Sequence, residues 1–336
     1  MLKNKVFIIA EAGCNHNGKL KLAKKLVDIA KRAKADAVKF QSFKVDELAV
    51  KNAPKANYAI SNTKNYKTQY EMQSKLQLSF NDQLKLLKYC KKKKIKFLSS
   101  SFDVQSTDDL KKMNLDIIKI PSGEITNLPN LLKIGSLKKK VILSTGMSTI
   151  SDIKLAIKTL NQEGINLKDI TLLHCTTDYP AKLKDINLLA IRHLEKIFGL
   201  KVGYSDHTNG IEVSIAAAAL GATVIEKHLT ISRKMEGPDH YASLEEDEFT
   251  KMVKSIRNIE IAMGDGKKKP AKNEIKNIYT VRKSIKARKL INKGDIFSEE
   301  NLLVARPNSG LSPMKWNKVI GKKAKKSFNI GEDIKI

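Results

Sequence analysis

With 336 residues, 41% of them hydrophobic, the chain can bury a core large enough for one big domain, or for a big and a small one. No apolar run approaches the ~18 residues of a membrane-spanning helix, which excludes an integral helical membrane protein. The net charge of +28 would ordinarily point to nucleic acid, yet only seven of the 63 basic residues are Arg, and the lysines are spread along the chain without aromatic interleaving or zinc-finger spacing; the excess reads as solvated helix faces and loops, still able to draw in anionic substrates.

Val6–Ala10 is a continuous apolar run, as expected of a strand covered on both faces, and it ends in Glu-Ala-Gly-Cys-Asn-His-Asn-Gly. A positive flank precedes it, but the run is too short for a signal-peptide core, so a first strand is expected. Helical spacing follows from Leu22 to Ala33. The same strand–helix sentence then repeats. Ala37–Phe40 is strand-like, and a long polar excursion over Lys44–Leu78 exceeds an ordinary connection, which suggests a functional loop or lid. Ser79–Lys93 is helical; Ile95–Leu98 is a strand ending in three serines; a short helix around Asp109–Met113 leads to the strand Ile117–Ile120. Leu128–Ile134 is helical, and Val141–Leu143 is strand-like before Ser-Thr-Gly-Met. Thr149 opens a helix with Ile153, Ala156, Ile157 and Leu160 inward. Ile170–Leu173, the helix Leu188–Phe198, the run Lys201–Tyr204, an Ala-rich helix over Ile211–Leu220 and the run Thr223–Ile225 complete the series. Ser243-Leu-Glu-Glu predicts the capping box of a last helix carrying Phe249, Met252, Val253, Ile256 and Met263.

Eight strand–helix units in about 265 residues fit the α/β class as a (β/α)8 TIM barrel. An open doubly wound sheet is the structural rival, but no G-x-G-x-x-G follows a strand. The expected organisation is a barrel over residues 1–266, a Lys-rich linker over 267–280 and a small β-rich module over 281–336, too small to bury much core alone. Three widely spaced cysteines, Cys14, Cys90 and Cys175, argue against a disulfide framework and for a reducing cytoplasm.

The polar residues at the strand ends carry the functional signal, because in such a barrel the C-terminal strand ends form the active site. They read Glu11; Lys39 and Gln41; Ser99 and Ser100; Lys119, Ser122 and Glu124; Ser144 and Thr145; Thr176, Thr177 and Tyr179; Ser205, Asp206 and His207; Glu226 and His228. His207 and His228, with Asp206 one residue and Glu226 two residues before them, end two neighbouring strands and could meet as ligands of a divalent transition metal. Lys39 and Lys119 emerge from apolar strands, where an unpaired ammonium is costly. With Ser122, Ser144 and Ser205 they suit a phosphate or carboxylate; a Schiff-base lysine is the rival use. Glu124 could move a proton or form a structural salt bridge. Glu11 and Gln41 could bind sugar hydroxyls, and Tyr179 could stack or merely pack beside Pro180.

These endings resemble the sialic acid synthase family, the bacterial N-acetylneuraminate synthases with their legionaminate and pseudaminate relatives. The motifs are Ile-Ala-Glu-Ala-Gly-Cys-Asn-His-Asn-Gly, Val-Lys-Phe-Gln, Lys-Ile-Pro-Ser-Gly-Glu, Leu-Ser-Thr-Gly-Met, Gly-Tyr-Ser-Asp-His, Glu-Lys-His-Leu and Gly-Pro-Asp-His at 237–240. The C-terminal module is similar to the SAF, or antifreeze-like, domain, through Ala-Arg-Pro-Asn-Ser-Gly-Leu-Ser-Pro at 305–313. The resemblance implies a condensation of phosphoenolpyruvate with an N-acylated amino sugar such as N-acetylmannosamine, by C–O cleavage, with N-acetylneuraminate and phosphate as products. A synthase acting on a 2,4-diacetamido-6-deoxy sugar to give N,N'-diacetyllegionaminate is the nearest alternative, and the motifs do not separate the two. The resemblance further implies a divalent cation, Mn²⁺ or Mg²⁺, on His207 and His228. It implies phosphoenolpyruvate on Lys39, Ser100, Lys119, Ser122, Ser144, Thr177 and Ser205, and proton transfer assisted by Glu124. Glu11, Gln41, Tyr179 and Asp239 would hold the sugar. In a domain-swapped homodimer, Arg306 would reach the partner's site. Two departures stand out: Ser-Ser-Ser-Phe at 99–102 where the family commonly has Ser-Thr-Pro-Phe, and Thr177 where some members have Asn. A Schiff-base aldolase, or a non-catalytic carbohydrate- or nucleic-acid-binding protein, are the readings of other classes. The last leaves eight polar strand ends without a purpose.

Overall fold

The computed structural model describes residues 5–60 and 62–336; the positive flank at 1–4 and Ser61 lie outside the described residues. The chain divides into one unit through Asp265 and a second over Gly266–Ile336.

In the first unit eight parallel strands close into a barrel in sequence order. They are β1 (Phe7–Gly13), β2 (Ala37–Ser42), β3 (Lys96–Ser101), β4 (Ile117–Ile120), β5 (Lys140–Ser144), β6 (Ile170–Cys175), β7 (Lys201–Asp206) and β8 (Val224–His228). The main helices around them are α1 (Leu20–Arg32), α5 (Phe80–Lys93), α6 (Val104–Met113), α7 (Leu128–Ser136), α8 (Ile150–Gln162), α9 (Ala190–Phe198), α10 (Glu212–Ala219) and α11 (Glu246–Ala262), and three short ones, α2 (Val45–Leu48), α3 (Asn57–Ile60) and α4 (Gln69–Leu76), fill the long excursion after β2. The helix before β4 is longer than its apolar spacing suggested, because Asp103 caps it by accepting from Ser106 N. The box at Thr149 and Asp152 closes the start of α8 as expected. The start of α11 is displaced from the expected one: Glu245 and Glu248 form the reciprocal cap, while Ser243 Oγ donates to Asp239 O and accepts from Asn15 Nδ2.

A period-two alternation decides what each strand shows the barrel interior. Ile8, Ala10, Val38, Phe40, Ile118, Ile120, Val202 and Tyr204 pack outward against the helices in the main core. Phe7, Ile9, Ala37, Leu98, Ile117, Ile142, Leu173 and Val224 point inward and pack together as a plug. The inward position on β7 must be glycine: a Cβ on Gly203 would lie 2.5 Å from Val224 O and 2.7 Å from Leu173 Cδ2. Two residues further along the strands, Cys175 on β6 excepted, the inward positions turn polar, which sets the depth of the site.

The loops after β1 and β8 are pinned by buried histidines. His16 Nδ1 accepts from Gly18 N at 3.0 Å, and His240 lies 2.7 Å from Thr230 Oγ1 and 3.1 Å from Asn17 Oδ1. Burial pushes both down to about 4 from the ordinary 6.5, His16 further depressed by His240 and partly held up by a Gly13 backbone bond. The folded chain therefore refuses protons that the unfolded chain accepts. The stability these rings lend is complete above pH 6.5 and is lost as pH falls toward about 4. Thermal melts between pH 7 and 4 are expected to show a falling midpoint, with a shallower slope in His240→Gln; an unaltered slope would dismiss this account.

In the second unit β9 (Ser284–Ala287) and β10 (Leu302–Ala305) pair antiparallel over a small core that includes Ile285, Phe297, Leu302 and Phe328. Much of the stretch expected as a linker is helix, α12 (Lys272–Val281), which begins where Glu274 accepts from the Ala271 N–H.

Candidate active site

The register brings the polar inward residues into one ring. Glu11 lies opposite Lys39 and His228, Gln41 opposite Ser100, Ser100 opposite Lys119, and Ser205 opposite Glu226. They line a cavity of about 260 Å³ at the C-terminal ends of the strands, a position and size suited to a small-molecule ligand.

Two ammonium groups and two carboxylates form its floor. Lys39 Nζ is 2.9 Å from Glu11 Oε2 and 3.7 Å from Glu226 Oε2; Lys119 Nζ is 3.6 Å from Glu226 Oε1 and donates to Ser144 Oγ at 2.7 Å. Ser205 Oγ donates to Glu226 Oε1 at 3.0 Å. The lysines thus leave their strands into paired positions, and the cost of burial is met by the acids. Burial pulls Lys39 down, but Glu11 and Glu226 outweigh it and hold the ammonium above its ordinary value. Burial, reinforced by Lys39, wins at Lys119, which is lowered despite Glu226. Burial raises Glu11 to about 7, with Lys39 opposing and Glu226 adding; Glu226 is lowered because Lys119 and Lys39 together overcome its burial.

Around the floor stand hydroxyls. Ser122 Oγ accepts from Gly146 N at 3.0 Å and lies 3.1 Å from Cys175 Sγ. Thr177 Oγ1 is buried without a hydrogen-bond partner and lines the cavity. Gly146 keeps this corner open, since a Cβ there would run into Thr177 Oγ1 and lie 2.8 Å from Ser122 Oγ.

At the mouth the two histidines meet. Their ring centroids are 5.4 Å apart, and Tyr179 stacks on His207 at 4.1 Å and meets His228 edge-on at 5.4 Å. His207 Nδ1 donates to Thr176 O at 2.6 Å, which leaves Nε2, 3.3 Å from Ser205 Oγ, as the ring's basic nitrogen. His228 Nδ1 is buried without a hydrogen-bond partner, 3.8 Å from Asp239 Oδ2. Burial holds His207 at about 4 and His228 well below its usual range, so both rings are neutral. Asp239 is raised to about 6 by burial, with Lys39 opposing. An orphaned imidazole nitrogen beside a second neutral ring suits a divalent cation, but among the described residues no group of three or more His, Cys, Asp and Glu is arranged to hold one.

Alternation also sorts the strand ends that sequence alone grouped together. Ser99, Thr145, Thr176 and Asp206 do not line the cavity, whereas Ser100, Ser144, Thr177 and Ser205 do. Ser99 Oγ lies 2.7 Å from Ser42 Oγ, and Ser101 Oγ accepts from Thr107 Oγ1 at 2.8 Å. Of the two departing positions, Ser101 faces the helices, whereas Ser100 keeps a hydroxyl in the ring. Glu124 is set apart from the cavity lining; its Oε2 accepts from Asn127 Nδ2 at 2.7 Å and Asn130 Nδ2 at 2.9 Å, and burial raises its pKa against these bonds. Arg306 lies in the second unit, where its Nε donates to Val281 O at 2.8 Å. Glu226, to which sequence assigned no role, proves central to the floor; its signal was the two-residue step from Val224 to Glu226 to His228 along one strand.

Residues 26–268 match the NeuB family, and residues 282–335 match the SAF domain. The chain belongs to the NeuB family. The N,N'-diacetyllegionaminic acid synthase of Campylobacter jejuni is 51% identical over 331 residues, 98% of this chain and 99% of that protein. The N,N'-diacetyllegionaminic acid synthase of Legionella pneumophila is 45% identical over 327 residues, 97% of this chain and 92% of that protein. Among solved structures, the N-acetylneuraminic acid (sialic acid) synthetase of Leptospira borgpetersenii, in complex with citrate, superposes with a TM-score of 0.73 at 35% identity, covering 82% of this chain and 90% of that chain. This NeuB-family chain is accordingly an enzyme of the sialic acid synthase type, and the ring at the strand ends is its candidate active site.

Proposed function

We propose that the enzyme condenses phosphoenolpyruvate with a 2,4-diacetamido-6-deoxy sugar, forming an N,N'-diacetyllegionaminate-type nine-carbon 2-keto acid and phosphate by C–O cleavage, with water supplying the new C2 oxygen of the acid. The observation that carries the reaction class is the floor: two buried ammonium groups and a set of hydroxyls, beneath two neutral histidines, facing one cavity. Lys39, Lys119, Ser100, Ser122, Ser144, Thr177 and Ser205 would receive the carboxylate and phosphate. The orphaned Thr177 hydroxyl gains a partner on binding. Glu11, Gln41, Tyr179 and Asp239 would hold the sugar above. His207 and His228 would hold a divalent cation, Mn²⁺ or Mg²⁺, which when bound would supply Lewis acidity toward the sugar's aldehyde oxygen. Glu11, held at about 7, can exchange a proton near neutral pH, whereas Glu124 would first have to leave Asn127 and Asn130. The relatives named for diacetyllegionaminic acid favour the diacetylated sugar. The match to the Leptospira structure supports N-acetylmannosamine as the second reading. A cytoplasmic, domain-swapped homodimer, with Arg306 reaching the partner's site, completes the proposal.

Metal-stripped protein is expected to release phosphate from phosphoenolpyruvate only after Mn²⁺ is restored and only with a sugar present, fastest with the diacetylated one. Phosphoenolpyruvate labelled with ¹⁸O in its bridging position should pass the label to phosphate. Label retained in the keto acid would defeat C–O cleavage, and release restricted to N-acetylmannosamine would move the enzyme to the second reading.

A further inference from the structure

The excursion between β2 and α5 supplies part of the cavity wall, and its contribution is unlike the rest of the ring. Gln69 and Gln73 stand one turn apart on α4 and both line the cavity. Each has a buried Oε1 with no hydrogen-bond partner. Two adjacent orphaned amide oxygens are costly unless a ligand supplies donors. Turning either amide over would exchange acceptor for donor, so each side chain offers one of each in any orientation. Beside them, Phe43, Leu48, Met72 and Phe102 line the same cavity, and Phe43 and Met72 are buried in a cluster against which Leu48 and Phe102 pack.

An amide next to an apolar wall is the complement of an acylamino group, whose N–H and C=O pair with the amide while its methyl meets the wall. A diacetamido-6-deoxy sugar differs from N-acetylmannosamine in two places. One hydroxyl becomes an acetamido group, and one hydroxymethyl becomes a methyl. The first exchanges a hydroxyl for an N–H, a C=O and a methyl group, and the second exchanges a hydroxyl for hydrogen, leaving an apolar methyl. The floor residues expected to take the acid donor are charged or hydroxylic and offer no such combination.

We propose that Gln69 and Gln73, with the apolar wall of Phe43, Leu48, Met72 and Phe102, form the specificity subsite that reads the second acylamino group and the deoxy carbon of the sugar. This rests on the functional reading above and deepens it. The test measures phosphate release by the full-length, Mn²⁺-loaded enzyme with both sugars for wild type, Gln69→Leu, Gln73→Leu and the double variant. The ratio of kcat/KM for the diacetamido sugar to that for N-acetylmannosamine is expected to fall about tenfold per glutamine, the size of a lost hydrogen bond that strands its partner, while the KM for phosphoenolpyruvate stays within about twofold. Gln69→Glu and Gln73→Glu, which keep the acceptor, should retain more of the ratio than the leucine variants. An active wild type whose ratio is indifferent to all these changes would overturn the subsite and leave the functional reading standing. A wild type inert toward both sugars would overturn the reading itself, and the subsite with it.

Discussion

Lys39→Met is expected to lower kcat/KM for phosphoenolpyruvate by about 10²–10³-fold, since truncating one member of a buried charge pair costs about 2–5 kcal/mol. The ammonium lies 2.9 Å from Glu11 Oε2 and 3.7 Å from Glu226 Oε2, and all three side chains are buried. Without it, two carboxylates face each other in a site that must take a multiply charged anion. Part of the loss would be structural, because the acids are stranded as well as the substrate. A second substitution separates the two effects. In Lys39→Met/Glu11→Gln the stranded charge is relieved, so the thermal midpoint should recover while phosphoenolpyruvate turnover stays low. Recovery of both in steady-state phosphate release would reduce Lys39 to a structural ion-pair partner.

Lys227→Met should be the most damaging single change to stability. Lys227 and Asp206 form an ion pair at 3.0 Å with both side chains fully buried, on the helix-facing side of β8 and β7. Asp206 also accepts from Thr208 N, Thr208 Oγ1 and Ser214 Oγ, and Lys227 Nζ donates to Thr208 O. Breaking a buried pair by removing one partner costs about 3–5 kcal/mol, which lowers the thermal midpoint by on the order of 10 °C. Because Asp206 precedes His207 and Lys227 precedes His228, the pair ties together the strands that present the two histidines. Asp206→Asn added to Lys227→Met leaves no unpaired charge and keeps acceptors for Thr208, so the double variant should melt above the single one. A double variant melting lower still would mean that the hydrogen bonds, rather than the charge, govern this site.

The barrel was legible because its strands are buried on both faces and read as short apolar runs closed by polar residues. The strand ends were legible as a set for the same reason. What escaped was their orientation. Asp206 stands one residue before His207 and Glu226 two before His228, so the two-residue period sends the first to the helices and the second to the cavity. A reading that counted ends without fixing the phase of each strand could not separate them. Glu124 looked available because it ends β4's Pro-Ser-Gly-Glu motif; the asparagines that hold it come from the following turn and helix, and no sequence pattern announces such a contact. The cap of α11 slipped because Ser243 is drawn instead to Asp239, four residues back, and to Asn15, a contact that exists only once β1 and β8 are neighbours.

The ring depends on strand phase: one residue gained or lost within β2 would turn Lys39 toward the helices and a hydrophobic neighbour toward the substrate. The glutamines and their apolar companions are held mostly outside the strands, in the excursion between β2 and α5, where lengthening or substitution leaves every strand's phase untouched. The molecule thus divides what must be inherited unchanged from what is free to diversify. Descendants of one catalytic barrel can acquire new sugar preferences by rewriting a single insertion, without passing through an inactive ancestor.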